Sequence, residues 1–410
     1  MATRTEVSSG CFFKMKMIRF YLRLPNVLFI LICSVIVSCN FEPTIDDNES
    51  VRIKVDANLK GEVKLSEVCN EVKYLGLYND IDLLPISEAS KMIFKNGSFF
   101  LFDQNQGNVF IFSENGEFVN SFQILKGRGP YELERIADFS VDQINERIIV
   151  LGFAKLVVYT FDGKPIDELK MTVLPQKLTV YQEDFLFLLD SSSPERQVGD
   201  GYNLVRMSGD GTIVQTFLKS SYVENQKKYF LLVSNNFPEY NGEQLFFNSP
   251  DPNIYKVDEE FLKVKYTIDF GNLAIPNGYF DDILPEASDN EIIRNIFSDG
   301  YVSLLHNVLE TDQQLYFQFA TSFEENSSKV FFSKKSHNTK VGKTLVNDFD
   351  LSIETEISFF HNFKNYLVKT IFTSNLSDSE KNIVLESLSN KSKIKSEPEL
   401  VLLMCDTKEF

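Results

Sequence analysis

The chain has 410 residues, 43% of them hydrophobic, with 41 Lys and Arg against 58 Asp and Glu and a net charge of −17. The hydrophobic share excludes a disordered chain. The acidic surplus excludes nucleic acid as a partner, since that partner needs a basic surface. A chain of this length usually forms two or three domains, because single cores stop growing beyond about 250–300 residues.

The start of the chain has the pattern of a secretory signal. Residues 27–37 are apolar, but they are too few for a membrane span of about 20 residues. Four basic residues precede them: Lys14, Lys16, Arg19 and Arg23. A basic region followed by a short apolar region is typical of a signal peptide, so we expect residues 1–38 to be removed.

The apolar run ends at Ile36-Val37-Ser38-Cys39, which resembles a bacterial lipobox. The resemblance implies cleavage before Cys39 and lipidation of Cys39. The lipid would anchor the protein in the outer membrane, facing the periplasm or the cell surface. A plain membrane anchor and a cleaved soluble signal are the alternatives.

The segment after Cys39 is predicted to be a tether. Removal of residues 1–38 takes away five basic residues and one acidic residue, which leaves a net charge of −21. A body this acidic is repelled by anionic lipid, so the lipid has to hold it at the membrane. We expect residues 39–60 to form an acidic tether, since residues 40–50 are polar and acidic.

The rest of the chain repeats a strand that runs into a glycine turn. The turn glycines are Gly116, Gly163 and Gly211, and Glu260 takes the fourth place, at steps of 47, 48 and 49 residues. Asn-Gly and Asp-Gly between apolar runs are typical of β-hairpins. The four copies are Asn108–Phe118, Lys155–Lys164, Asn203–Thr212 and Asn253–Phe261.

Each copy also has an apolar strand upstream. These strands are Ser98–Asp103, Arg147–Gly152, Asp184–Asp190 and Gln244–Asn248, and a later one is Gln314–Phe319. Four strands in about 48 residues is typical of a propeller blade. Because each blade packs on its neighbours, a long chain needs no single large core. A large β-sandwich or two smaller β domains is the alternative.

The length of the repeat region sets the number of blades. Residues 65–408 would hold about seven blades of this period. Two stretches, 280–299 and 377–390, are helix-like insertions, and the second begins with the capping-box pair Ser377 and Glu380. Without them the sequence predicts an all-β, six-bladed β-propeller with short helical insertions over residues 61–410. Its many Phe side chains are expected to fill the spaces between blades.

A propeller usually closes by pairing strands from both termini in one blade. Here these strands are residues 68–75 and 400–405, and they contain Cys69 and Cys405. A disulfide between them needs Cα atoms within about 7 Å. Two buried free thiols are the favoured interpretation, and a closing disulfide is the alternative.

Three segments resemble one protein family. Lys126-Gly127-Arg128-Gly129-Pro130-Tyr131-Glu132 resembles the G-R-G-P-x-E element of the six-bladed β-propeller lipoproteins of gut-type gram-negative bacteria, which are similar to NHL-repeat propellers. Tyr266–Gly271 with Ile275-Pro276, and Ser396–Leu402, resemble later segments of the same family. The resemblance implies the fold and the anchor, but no activity.

The glycine loop is our candidate binding loop. It consists of Gly127, Arg128, Gly129, Pro130 and Glu132. Arg128 can bind a carboxylate or a phosphate with two parallel hydrogen bonds. The alternative is a structural connection between blades, in which Arg128 pairs with Glu132 or Asp138.

The sequence contains no catalytic signature. The histidines, His306, His337 and His361, lie in separate segments, so we predict no metal site, no catalytic residue and no cofactor. The favoured function is binding of a glycan, a peptide or a protein partner without catalysis. A cation-dependent hydrolase or lactonase-like propeller is the alternative, and the oligomeric state is left open.

Overall fold

The predicted repeat folds into successive antiparallel sheets. A computed structural model describes residues 45–46, 50–58, 61–78, 85–171, 173–189, 202–219, 235–279, 289–302, 304–322, 326–349, 357–389 and 397–410. Within these residues six blades follow one another, each built on four antiparallel strands. The predicted signal peptide and Cys39 lie outside the described residues.

The strands are numbered along the chain. The N-terminal part has β1 (Ile45–Asp46), β2 (Val51–Lys54), β3 (Glu62–Lys64), the short helix α1 (Leu65–Val68) and β4 (Cys69–Leu77). Blade 1 has β5 (Lys91–Lys95), β6 (Ser98–Asp103), β7 (Asn108–Ser113) and β8 (Phe118–Gln123). Blade 2 has β9 (Asp138–Asp142), β10 (Arg147–Leu151), β11 (Lys155–Thr160) and β12 (Pro165–Lys170). Blade 3 has β13 (Pro175–Tyr181), β14 (Asp184–Leu189), β15 (Tyr202–Met207) and β16 (Ile213–Lys219).

The second half continues the same order. Blade 4 has β17 (Glu239–Tyr240), β18 (Glu243–Phe247), β19 (Asn253–Val257) and β20 (Leu262–Asp269). The helix α2 (Asp289–Ser298) precedes blade 5, which has β21 (Leu304–Glu310), β22 (Gln314–Ala320), β23 (Ser328–Ser333) and β24 (Thr339–Gly342), followed by β25 (Thr344–Val346). Blade 6 has β26 (His361–Phe363), β27 (Tyr366–Phe372), β28 (Leu400–Thr407) and the N-terminal β4, with the helix α3 (Asp378–Glu386) between β27 and β28. Single 3₁₀ turns lie at Gly271–Leu273 and Thr373–Asn375.

The blades form a closed ring. The first strand of a blade contacts the first strand of the next, as β5 contacts β9 and β9 contacts β13, and β26 of blade 6 contacts β5 of blade 1. The first strands therefore surround a central channel. Six large apolar clusters lie between the blades, and each combines side chains of two neighbouring blades. The predicted six-bladed all-β propeller is confirmed, and Phe fills much of these clusters, as expected.

Both ends of the chain close blade 6. The strand β4 pairs antiparallel with β28, from Leu77 opposite Leu400 to Cys69 opposite Thr407. Cys69 and Cys405 form a disulfide with Cα atoms 5.7 Å apart, and both are buried. The preference for two free thiols was therefore wrong, because strand pairing brings the two backbones within disulfide range.

The segment predicted as a tether is partly built into the ring. The strand β2 pairs in parallel with β20, the outer strand of blade 4, and Ile53 is buried in the cluster between blades 4 and 5. The strand β3 pairs in parallel with β25. Residues 51–54 are thus a strand and not part of a tether, because their backbone pairs with the edge of β20 and Ile53 is buried between blades 4 and 5.

The two helical insertions were predicted correctly. The helix α2 buries Ile292 and Ile296. Ser377 caps α3, and its side chain and Glu380 form a capping box. None of the helices in the described ranges is long and apolar enough to cross a membrane.

Candidate functional site

One face of the ring carries two sets of turns. In blades 1 to 5 the turn between the first two strands and the turn between the last two strands lie on the same side, because neighbouring strands are antiparallel; blade 6 has only the first of these turns, since its last two strands come from the two ends of the chain. We call this side the mouth face. Several of its turn residues have positive φ, among them Asn96, Gln182 and Asn241. Asn tolerates this conformation better than most residues, which is one reason that these turns are polar.

The mouth face holds a cavity at the end of the central channel. It has a volume of about 610 Å³ and is lined by residues of blades 1 to 4, and we call it the mouth cavity. Lys95 comes from the end of β5, Ile144 from the β9–β10 turn and Tyr181 from the end of β13. Blade 4 supplies most of the charge, including Glu239 and Glu259.

An ion pair across the channel forms the floor of this cavity. Lys95 of blade 1 pairs with Glu239 of blade 4, three blades away and therefore on the opposite side of the ring. Asn362 of blade 6 donates to the backbone oxygens of Glu239, at 3.2 Å, and of Glu310, at 2.9 Å. A smaller cavity of about 110 Å³ lies along the inner strands and shares Lys95 and Glu239 with the mouth cavity.

A charge network fixes the blade 4 side of the mouth cavity. Glu243 accepts from Lys256 at 2.6 Å and from Lys265 at 2.7 Å. Lys265 also reaches the buried Glu310 at 2.9 Å, and the Tyr266 hydroxyl donates to Glu310 at 2.9 Å. Burial alone would raise the pKa of Glu243, but the hydrogen bonds and charges of the two lysines lower it to about 2. Glu243 is therefore ionised at neutral pH.

Two acids of the β19–β20 turn differ from the others in the cavity. Glu259 accepts from the Gln182 amide at 3.1 Å, and Asp258 accepts from the Glu259 backbone N–H at 2.7 Å. In the described part of the chain, no lysine or arginine forms an ion pair with Asp258 or Glu259. Their charge adds to the burial that raises the pKa of the neighbouring Tyr181.

The glycine loop lies elsewhere. It connects β8 to β9 and therefore lies on the face opposite the mouth cavity. The Gly129 N–H donates to Glu132 Oε2 at 2.8 Å, and Lys155 donates to the Gly129 carbonyl at 3.0 Å. A side chain at Gly127 would collide with Glu132. Much of the backbone of this loop is held by internal contacts of this kind.

Arg128 points away from these contacts. Its side chain is 88% exposed and pairs with Glu134, not with Glu132 or Asp138. Asp138 is buried and pairs instead with Lys91 at 2.9 Å. Arg128 is the accessible charged group of the loop, and its role in binding stays a prediction.

The histidines do not come together. His306 lies on β21 and His361 on β26, and burial lowers the pKa of each to about 4, so both are neutral at pH 7. His337 lies in the β23–β24 turn, on the mouth face. Among the residues that the structure describes, no three His, Cys, Asp or Glu side chains are arranged to hold a metal ion.

A family model described as "Domain of unknown function (DUF4934)" matches residues 50–406. The chain belongs to this family. The match begins directly before β2 and ends within β28, so the DUF4934 domain includes the N-terminal strands β2, β3 and β4 and nearly all of the closing strand.

Two crystal structures are similar to this chain, and the first of them shares its fold. One is described as a "putative exported protein" from Bacteroides fragilis NCTC 9343 and is 16% identical, with a TM-score of 0.63 over 87% of this chain and 99% of the other. The second is a member of the DUF4221 family from Bacteroides vulgatus, 11% identical, with a TM-score of 0.46 over 84% and 98% of the two chains. No curated protein matches the sequence.

The residues of the mouth cavity were missed by the sequence analysis. Ile144 and Glu239 lie in or beside the short turns before the upstream strands, and these turns carry no shared motif. The repeat itself was the available signal. The period of the repeat places equivalent turns on one face of the ring. These are the turns before Arg147–Gly152, Asp184–Asp190 and Gln244–Asn248.

Proposed function

We propose that this DUF4934 protein is an exported, lipid-anchored binding protein of the bacterial envelope, and that it binds a glycan, a peptide or a protein partner at the mouth cavity without catalysis. The mouth cavity carries this proposal. Its volume of about 610 Å³ lies within the range of ligand sites, which is about 300–1,000 Å³.

The make-up of the mouth cavity supports binding. Its walls combine apolar side chains such as Val141 and Val180 with charged and amide groups from four blades. Because these groups are fixed by ion pairs such as Lys95–Glu239, a ligand does not have to order them when it binds.

Three observations support the location in the envelope. The lipobox-like segment ends at Cys39, and the chain contains a buried disulfide, which is typical of oxidising compartments outside the cytoplasm. The similar B. fragilis protein is also described as exported. We assign the lipid to Cys39.

A tryptophan reporter tests the binding site. The chain contains no Trp, so Gln143→Trp places a single indole on the rim of the mouth cavity. Basic, acidic and neutral peptides and neutral oligosaccharides are titrated while the indole emission is recorded. We expect at least one probe to change it in a saturable manner. Asn105→Trp, in the exposed β6–β7 turn of the opposite face, is the matched control. A saturable change seen only with the control variant would refute the proposed site.

A second experiment tests the anchor. The full-length protein and its Cys39→Ser variant are expressed in a gram-negative host and fractionated. We expect the unchanged protein in the membrane fraction with the mass of a lipidated, cleaved chain, and the variant uncleaved and without lipid. A cleaved, lipid-free form of both proteins would refute the anchor.

A further inference from the structure

The charges of the mouth cavity do not balance. Five carboxylates line it, against the ammonium groups of Lys95 and Lys256. The acids are Asp142, Glu239, Glu243, Asp258 and Glu259. A cleft lined by one sign of charge concentrates ligands of the opposite sign.

Three of these acids are neutralised by the protein itself. Asp142 pairs with Arg147 at 2.7 Å, Glu239 pairs with Lys95, and Glu243 pairs with two lysines. These pairs are part of the fold, so they are not the groups that a ligand would need to neutralise.

Asp258 and Glu259 are the two cavity acids whose carboxylates form no ion pair within the described residues; the nearby Arg206 pairs with Asp184 at 2.6 Å and donates only to the backbone oxygen of Glu259, at 3.3 Å. Each of the two carboxylates accepts one hydrogen bond from a neutral N–H group. An ionised carboxylate offers about four acceptor positions, so both retain capacity for a further donor. A charged donor forms the stronger hydrogen bond, so these two side chains favour an ammonium or a guanidinium group.

The rim adds an apolar contact. Ile144 stands at the tip of the β9–β10 turn, lines the mouth cavity and is 73% exposed. Because isoleucine gains nothing from a fully hydroxylated ligand, this rim favours a ligand with an aliphatic group beside its charge.

We propose that the mouth cavity binds a cationic peptide segment, with a Lys or Arg side chain on Asp258 and Glu259 and an aliphatic side chain against Ile144. This proposal rests on the proposed function and adds the chemical class of the ligand. The Lys95–Glu239 pair limits the depth to which the segment inserts.

The probes for the test are two short peptides and one sugar. The basic peptide is acetyl-Leu-Lys-Leu-Lys-amide, the acidic one is acetyl-Leu-Glu-Leu-Glu-amide, and the sugar is a neutral tetrasaccharide. Binding to the full-length protein in detergent is measured by calorimetry at low and high salt. We expect the basic peptide to bind at least tenfold more tightly than the other probes, and more weakly at high salt.

Neighbouring acids provide a matched pair of variants. Glu259→Gln combined with Asp258→Asn removes the charge in the cavity, and we expect it to weaken binding of the basic peptide at least tenfold. Glu260→Gln removes one charge from the same turn outside the cavity lining, and we expect less than a twofold change. Circular dichroism melts confirm that both variants fold.

Two results would overturn the proposal. Equal losses in the Glu260→Gln variant and in the double variant of Asp258 and Glu259 would mean that only general surface charge attracts the peptide. If the Gln143→Trp reporter showed tighter binding of the tetrasaccharide, a cationic peptide would be excluded as the preferred ligand, but the mouth cavity would still be the binding site. Absence of any signal from all probes at that reporter would count against both.

Discussion

Glycines at equivalent places in the first three blades show how single residues set the repeat. Gly116, Gly163 and Gly211 have φ of 80°, 80° and 89°. In each of these blades the pairing of the last two strands shifts register just before the turn, as at Val158 and Tyr159. A glycine in the left-handed region beside a register shift is typical of a hairpin with a bulge.

Gly163 and Gly211 occupy equivalent positions in blades 2 and 3, but an added methyl group would meet different neighbours at each. We expect Gly211→Ala to lower the free energy of unfolding by about 1–2 kcal/mol, because the positive φ is unfavourable for alanine. Gly163→Ala should cost about 1–3 kcal/mol more, because its methyl group would collide with Phe122 of blade 1, whereas at 211 the nearest atom is a flexible Leu169 methyl at 3.1 Å. Urea unfolding checks the order, and equal costs would contradict it.

Glu243 contributes a pH-dependent term to stability. Its pKa is about 2 in the folded protein, below its ordinary value of 4.5, because Lys256 and Lys265 stabilise its charge. A lowered pKa stabilises the fold above the ordinary value, and this stabilisation is lost as the pH falls from about 4.5 to about 2. We expect the difference in unfolding free energy between the unchanged protein and Glu243→Gln to shrink over this window. A constant difference for Glu243→Gln across this window would contradict this explanation.

At the scale of elements, the sequence identified those parts of each blade with the strongest apolar pattern. The second and third strands, such as β6 and β7, are almost fully buried and were predicted closely. The innermost strands β5, β13, β17, β21 and β26 were not located, and two of them are very short, since β17 has two residues and β26 has three. A strand that short has no measurable periodicity, and the contacts of neighbouring blades define it.

The strand β2, which pairs with the outer strand of blade 4, was also not predicted from the sequence. Val51–Lys54 alternates apolar and charged residues, but the acidic segment before it suggested a tether. Pairing with β20 is a contact over more than 200 residues, which no local pattern reveals.

Substitutions at two neighbouring residues of β2 test whether the pairing of this strand stabilises the protein. Ile53 is 1% exposed, so Ile53→Ala should lower the unfolding free energy by about 2–5 kcal/mol. Arg52 is exposed and pairs with Asp269 at 3.1 Å, so Arg52→Ala should change it by less than about 1 kcal/mol. If residues 51–54 were a tether, both variants would match the unchanged protein in urea unfolding.

For the whole molecule, closure of the ring depends on two bonds of different kinds. The β4–β28 pairing joins the ends by backbone hydrogen bonds, and the Cys69–Cys405 disulfide spans 336 residues of sequence. Closing so long a loop removes much of the conformational freedom of the unfolded chain. The two terminal strands were predicted correctly. Whether Cys69 and Cys405 come within bonding distance depends on the register of the β4–β28 pairing, which the sequence does not specify.

Removal of the disulfide should leave a folded but weaker ring. We expect Cys69→Ala combined with Cys405→Ala to lower the unfolding free energy by about 2–5 kcal/mol, and reducing agent to weaken the unchanged protein similarly once it unfolds. Urea unfolding with and without reductant measures this. The account fails here if the double variant is as stable as the oxidised protein.

The mouth cavity forms only when several blades are assembled into the ring. Its charged residues, such as Lys95, Glu239 and Glu259, are spread over 165 positions of the sequence and meet because four blades turn around one axis. The glycine loop, in contrast, formed a continuous motif and was therefore noticed, although it lies on the other face.

Hydrogen exchange tests the central claim, that ligand binds at the mouth cavity. The protein is compared alone and with each of the basic peptide and the neutral tetrasaccharide, and exchange is followed by mass spectrometry. The account predicts that the bound probe slows exchange in the turns at 143–146, 182–183, 241–242 and 258–261. Slower exchange confined to the opposite face, at 104–107 and in the glycine loop, would contradict it.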